Sequence, residues 1–107
     1  MIHYTYAAYN GQAVRDGDAD QVMLNLITAH NAAPVLIHSF MGATENTLNA
    51  LRVHMRHGLI ACDQIKLFFV PQHGVAGEQP RLYPSGGISP RPDGFCDFTD
   101  KWLMELL

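Results

Sequence analysis

The sequence predicts a small α/β protein whose sheet has three or four strands, parallel or mixed. Apolar runs typical of strands occur at residues 2–9, 35–40 and 64–70, and segments with helical periodicity separate them. The order β-α-β-α-β is the signature of βαβ units, whose crossovers are right-handed and whose strands are parallel. A chain of 107 residues supports one hydrophobic core, so we expect a single domain spanning residues 1–107.

The first strand and the first helix have clear boundary signals. Residues 2–9 are rich in aromatic and β-branched side chains and are followed by an Asn-Gly pair, a strong turn signal. Asp18 precedes Gln21 by three positions, which resembles a capping box. Apolar residues then recur at helical spacing as far as His30, which predicts an amphipathic helix of about three turns starting at Asp18.

Two further strands enclose a second helix. The run 35–40 follows Pro34 and is nearly all apolar, which is typical of a strand buried in a parallel sheet. Thr44 can cap a helix whose leucines keep helical spacing. Residues 64–70 then predict the third strand, which Pro71 ends.

The C-terminal third of the chain has a different composition. Residues 71–97 alternate proline with glycine and predict a long loop, within which Arg81 to Tyr83 can form a short edge strand. Residues 98–107 predict a terminal helix with one apolar side. The side chains of this region that we expect to contact another chain are Tyr83, Phe98, Trp102, Leu103 and Leu106.

The composition argues against nucleic-acid and membrane partners. Seven basic and ten acidic side chains give a net charge of −3, so the chain lacks the basic excess that drives binding to nucleic acid. No segment approaches the roughly 18 apolar residues of a membrane span, and the N-terminus has no signal-peptide pattern. Cys62 and Cys96 lack the spacing of a zinc site or a disulfide framework. We therefore expect a cytoplasmic chain without cofactor or bound metal.

The shortage of charge favours contact with another protein. Only 16% of the residues are charged, against about 25% in typical soluble domains, so apolar surface is available for another chain or for self-association. A three-stranded parallel sheet also leaves its edges and one face poorly covered. We expect a non-catalytic protein that acts through protein–protein contact.

The alternative is a ligand-binding protein or an enzyme with a crevice at the carboxyl ends of the strands, where open parallel sheets bind ligands. Residues that could converge there, with His38 as the central group, are Asp16, Asp18, His38, Ser39 and His73. Carboxylates, a hydroxyl and imidazoles suit acid/base chemistry. Three of these residues also have a structural interpretation: Asp18 as a helix cap, His38 as a hydrogen-bonded strand residue and His73 as part of a solvated loop.

Several short segments resemble a known ATPase family. The matching segments are 37–39 (Ile-His-Ser), 47–52 and 65–70, with 81–84 and 93–97 near the end of the chain. Together they make residues 20–97 similar to the late, switch-histidine part of the ABC-type nucleotide-binding domain of OLD-family bacterial AAA ATPases, which include defence proteins. The resemblance identifies His38 with the histidine that contacts the γ-phosphate in that family.

The rest of the ATPase machinery is missing from these 107 residues. The phosphate-binding pattern G-x-x-x-x-G-K-[ST] does not occur, and residues 7–10, which end the first strand, contain no acidic pair of the Walker B type. His38 alone cannot hydrolyse ATP. The resemblance therefore implies a relative or mimic without catalytic parts, which binds or regulates a larger nucleotide-dependent machine.

Overall fold

A computed structural model describes residues 1–71 and 79–90 of the chain. Its elements, in chain order, are β1 (Ile2–Tyr6), α1 (Asp16–Ala32), β2 (His38–Gly42), α2 (Glu45–Arg56), a short 3-10 turn (Cys62–Gln64), β3 (Ile65–Phe69), β4 (Arg81–Leu82) and β5 (Ile88–Ser89). The predicted α/β class with a three-stranded parallel sheet is confirmed. The predicted terminal helix, 98–107, lies outside the described residues, as do parts of the predicted loop, 71–97.

The central strand of the sheet is β1, which pairs with β2 on one side and β3 on the other. Both pairings are parallel and in register, with Ile2 opposite His38 and Ile65. The side chains of Ile2, Tyr4 and Tyr6 alternate onto one face and are buried. β1 is therefore hydrogen-bonded along both of its edges.

Both helices cover the same face of the sheet. α1 and α2 pack against each other, and their apolar side chains share one core with β1 and β3. The principal buried side chains of this core are Ile2, Tyr4, Met23, Ile27, Leu48, Leu51, Met55 and Leu67. The apolar face predicted for the second helix is confirmed for Leu48, Leu51 and Met55, whereas Leu59 lies beyond the end of the helix and is 45% exposed.

The two crossovers have opposite hands, which corrects the expectation that both are right-handed. The connection through α1 leads from β1 to one edge of the sheet, and the connection through α2 leads back across β1 to the other edge. Connections that run in opposite directions over the same face of a parallel sheet must differ in hand. Burial accounts for the arrangement, because the apolar stripes of both helices are placed over the face that carries Tyr4 and Leu67.

Three boundaries of helices and strands differ from those that the sequence predicts. β1 ends at Tyr6 instead of continuing to residue 9. α1 begins at Asp16 with Arg15 as its N-cap, and the Asp18 amide donates to the Arg15 carbonyl, so Asp18 lies in the first turn and does not cap the helix. β2 begins only at His38, because residues 33–36 form a turn closed by a hydrogen bond from the Leu36 amide to the Ala33 carbonyl.

A small antiparallel hairpin, β4–β5, packs beside β3 and α2. Arg81 to Leu82 is a strand, as predicted, but it pairs with β5 and does not extend the main sheet. The Arg52 guanidinium donates to the Gly86 carbonyl at 2.6 Å, and the Cys62 thiol donates to the Leu82 carbonyl at 3.0 Å. These bonds fix the hairpin against α2 and the segment before β3.

Candidate functional site

Within residues 1–71 and 79–90, the main sheet has a face that neither α1 nor α2 covers, which we call the open face. Alternation along the three strands places on it His3, Thr5, Ser39, Met41, Lys66 and Phe68. Met41 is 43% exposed, and Ser39 and Lys66 are exposed as well. Both described helices lie on the opposite side.

Aromatic and cationic groups are clustered on the β3 side of the open face. The His3 and Phe68 rings meet edge to face with centroids 5.3 Å apart. The Lys66 ammonium lies 5.4 Å from the centroid of the Phe68 ring, within cation–π range. The open face therefore combines the apolar side chains of Met41 and Phe68 with the positive charge of Lys66.

A cavity of about 720 Å³ lies along the outer side of β3, and we call it the β3 groove. Its apolar lining comes from Ile65, Leu67, Pro80, Leu82 and Pro84, and its polar lining from Cys62, Asp63, Lys66, Gln79 and Arg81. Lys66 belongs to both the groove and the open face, so the two surfaces are continuous. The groove is bordered by two segments, 62–67 and 79–84, that are distant in sequence.

The environment of the Cys62 thiol in the β3 groove disfavours its thiolate form. Burial, and secondarily the carboxylate of Asp63, raise the pKa of Cys62 above its ordinary value. The thiol donates a hydrogen bond to the Leu82 carbonyl. Cys62 is therefore a structural donor, since only a thiolate attacks or binds metal well.

The carboxyl ends of β1 and β2 carry a hydrogen-bond network that joins the starts of the two helices. The Asn46 amide donates to the Val14 carbonyl at 2.5 Å and to Asp16 Oδ1 at 2.9 Å. Asn46 Oδ1 accepts from the Thr44 hydroxyl at 2.6 Å and from the Thr47 amide at 2.8 Å. Asp16 thus helps to hold α1 against α2.

The structure does not bring the described residues of the predicted crevice together. His38 is the first residue of β2 and lies at its amino end, opposite Ile2, about 13 Å from Gly42 at about 3.3 Å per residue. Asp16 is held by Asn46 beyond the carboxyl end of the strand. Ser39 lies on the open face, Asp18 is exposed on α1, and His73 lies outside the described residues. The apolar run before His38 suggested that His38 lies near the end of the strand. The turn at 33–36 instead makes His38 the first residue of β2.

His38 and His30 form a structural pair. His38 Nε2 lies 2.9 Å from the Ala33 carbonyl, and the two imidazole rings meet edge to face at 5.8 Å. Burial lowers the pKa of His30 most strongly, and the positive charges of the N-terminal ammonium and of His38 lower it further. Within residues 1–71 and 79–90, no three histidine, cysteine or acidic side chains are grouped as metal ligands.

The structure places one residue of the expected interface. Tyr83 is exposed in the hairpin turn, where its amide donates to the Gly87 carbonyl. Phe98, Trp102, Leu103 and Leu106 lie outside the described residues. Sequence reasoning expected one poorly covered sheet face but did not name Met41 and Phe68 on it, because the register of the strands follows only from the structure. The alternation of Thr5 and Lys66 with apolar neighbours was the signal that one face is open.

Comparisons with known proteins add no relative to these observations. No protein-family model matches the chain, and neither the curated proteins nor the solved structures give a significant match. Among the described helices, none has the length and hydropathy needed to cross a bilayer. Function is therefore inferred from the open face and the β3 groove.

Proposed function

We propose that this chain is a non-catalytic protein that acts through contact with another protein, with the open face as its contact surface. The observation that carries the proposal is a parallel sheet with both described helices on one side and Met41, Lys66 and Phe68 on the other. Parallel sheets are covered on both faces in nearly all proteins, because the helices of their crossover connections pack on the faces. A partner would supply the second layer.

The chemistry of the open face suits an interface. Protein interfaces are enriched in methionine and aromatic side chains and depleted in carboxylates, and the open face has Met41, Phe68 and His3 but no acidic residue. Beside it, the turn before β2 exposes Val35 by 91% and Ile37 by 64%. Contiguous exposed apolar surface is typical of binding sites.

The outer edge of β2 offers backbone groups as well. The His38 amide donates to the Met1 carbonyl in the direction of β1, so the alternate residues Ser39 and Met41 direct their backbone groups away from the sheet. The Met41 carbonyl accepts from the Gln12 amide, and the Ser39 amide and carbonyl have no backbone partner among the described residues. No charged residue occurs from 21 to 44 to protect this edge against pairing with another chain.

We also propose a class of partner, a nucleotide-dependent ATPase of the defence type, which this chain would regulate or partly mimic. The support is the resemblance of residues 20–97 to the switch-histidine region of OLD-family ATPases. The other candidate function, a ligand crevice centred on His38, has no support from the geometry, since His38 and Asp16 lie at opposite ends of β2.

The test compares two exposed apolar residues replaced by lysine. Met41→Lys places a charge on the open face, and Val53→Lys makes the matched change on the exposed side of α2, where Val53 is 46% exposed. Affinity capture from the source cells, with the stoichiometry measured by mass, compares both variants with the wild type after circular dichroism has confirmed their folding. We expect Val53→Lys to retain the partner and Met41→Lys to capture at least tenfold less.

Two results would contradict the proposal. One is undiminished capture by Met41→Lys of the partner that the wild type binds. The other is a wild-type chain that remains a monomer of about 12 kDa and captures no stoichiometric partner, since the open face would then have no protein to contact.

A further inference from the structure

We propose that the β3 groove binds an acidic peptide segment with apolar side chains, presented by the partner on the open face; this inference rests on the proposed function. Its volume, about 720 Å³, lies within the range of about 300–1,000 Å³ typical of ligand-binding clefts. Ile65, Leu67 and Leu82 line it with apolar surface. Such a cleft can bury a few apolar side chains of a peptide.

The charged side chains that line the groove favour a negatively charged ligand. Lys66 and Arg81 both line it, and neither has a carboxylate within ion-pair distance among the described residues. Asp63 is the single acidic side chain of the lining. The groove therefore carries positive charge on a chain whose net charge is −3. Carboxylates of a partner would find in Arg81 a donor that can bind them through two hydrogen bonds.

The groove is held open by bonds that do not involve its own cations. The hairpin that carries Arg81 is fixed by the bonds from Arg52 to the Gly86 carbonyl and from Cys62 to the Leu82 carbonyl. On the strand side, Gln79 Oε1 accepts from the Phe69 amide at 2.7 Å. A preformed cleft loses little conformational entropy when a ligand enters it.

Lys66 connects the groove with the proposed contact surface. Its ammonium lies 5.4 Å from the centroid of the Phe68 ring on the open face, and the same side chain lines the groove. A partner seated on the open face can therefore continue into the groove without a gap. Arg15 provides a contrast, because this exposed cation lies at the start of α1 beside Asp16 and Asp18, far along the chain from the groove.

The experiment measures fluorescence anisotropy of a fluorescein-labelled peptide of alternating glutamate and leucine, titrated with the full chain at low salt. The control peptide has glutamine in place of every glutamate. We expect the acidic peptide to bind at least tenfold more tightly than the neutral one. Lys66→Gln and Arg81→Gln should each weaken binding about threefold, as expected for an exposed ion pair, while Arg15→Gln leaves it unchanged. Raising the salt should weaken binding further.

Several outcomes overturn the proposal: equal binding of the two peptides, a loss with Arg15→Gln as large as with Arg81→Gln, or no binding of the acidic peptide. If the chain rejects the peptide but self-associates in a manner that Arg81→Gln abolishes, the occupant is a second copy and the proposal of a separate acidic segment is wrong. Met41→Lys separates the two hypotheses. If the wild-type chain does not bind the acidic peptide, the groove proposal is refuted and the open-face proposal is not. If Met41→Lys captures the partner as well as the wild type does, the open-face proposal is refuted.

Discussion

The hydrogen bond between the Tyr4 hydroxyl and Thr47 Oγ1 fixes the central strand of the sheet to α2. The two oxygens are 2.7 Å apart, and both side chains are fully buried. A hydrogen bond contributes about 1 kcal/mol net, and a buried hydroxyl that loses its partner costs about 1–3 kcal/mol. Tyr4→Phe keeps the ring, which stacks on Phe40, and removes only the hydroxyl. We therefore expect the free energy of unfolding to fall by about 1–3 kcal/mol.

A double-mutant cycle with Tyr4→Phe and Thr47→Val isolates the contribution of this pair from the other contacts of each residue. We expect a coupling energy of about 1 kcal/mol. Urea unfolding followed by far-UV circular dichroism resolves it, since a slope of about 2 kcal/mol per molar urea converts 1 kcal/mol into a midpoint shift of about 0.5 M. Tyr9→Phe is the control. Tyr9 is 69% exposed, so removing its hydroxyl should change the free energy of unfolding by less than about 0.5 kcal/mol. Additive effects of the two substitutions would refute the attachment of β1 to α2 through this bond.

The remaining predictions concern pH, backbone conformation and the abandoned crevice. The pKa of His30 is lowered in the folded chain, so the unfolded chain binds more protons below about pH 6.5. Thermal melting should therefore show that the stability of the fold decreases as the pH falls through 6.5. In His30→Gln this decrease should be less steep. Gly58→Ala and Gly86→Ala should each cost about 1–2 kcal/mol in urea unfolding, because both glycines have φ near +85° (83° and 90°); a stabilised variant would contradict the left-handed conformation. His38→Ala and Asp18→Asn should leave partner capture unchanged, and loss of capture in both would restore the crevice hypothesis.

The order of helices and strands could be predicted because it depends on local periodicity. Leu48, Leu51 and Met55 recur at helical spacing, and the structure buries all three on one side of α2. The start of β2 could not be predicted in the same way. The apolar residues 35–37 resemble a strand in composition, but the chain turns at this point through a backbone hydrogen bond between Leu36 and Ala33, which composition does not encode.

The candidate site depended on tertiary arrangement, and this limited its prediction. Residues 62–67 and 79–84 meet only after the hairpin has packed beside β3, so no spacing in the sequence indicates the β3 groove. The open face could have been predicted from the sequence, because Lys66 interrupts the apolar pattern of β3. The described residues of the predicted crevice do not meet, because the prediction placed His38 at the carboxyl end of β2 and the structure places it at the amino end.

Hydroxyl-radical footprinting with mass spectrometry tests the central claim, contact through the open face, most directly. The free chain should be oxidised at Met41 and Phe68, and the complex with its captured partner should show both protected. Tyr9, exposed outside the open face, should react equally in the two samples, and the buried Met55 should stay unreactive in both. Unchanged oxidation of Met41 and Phe68 in a complex of defined stoichiometry would contradict the account, because the partner would then bind elsewhere.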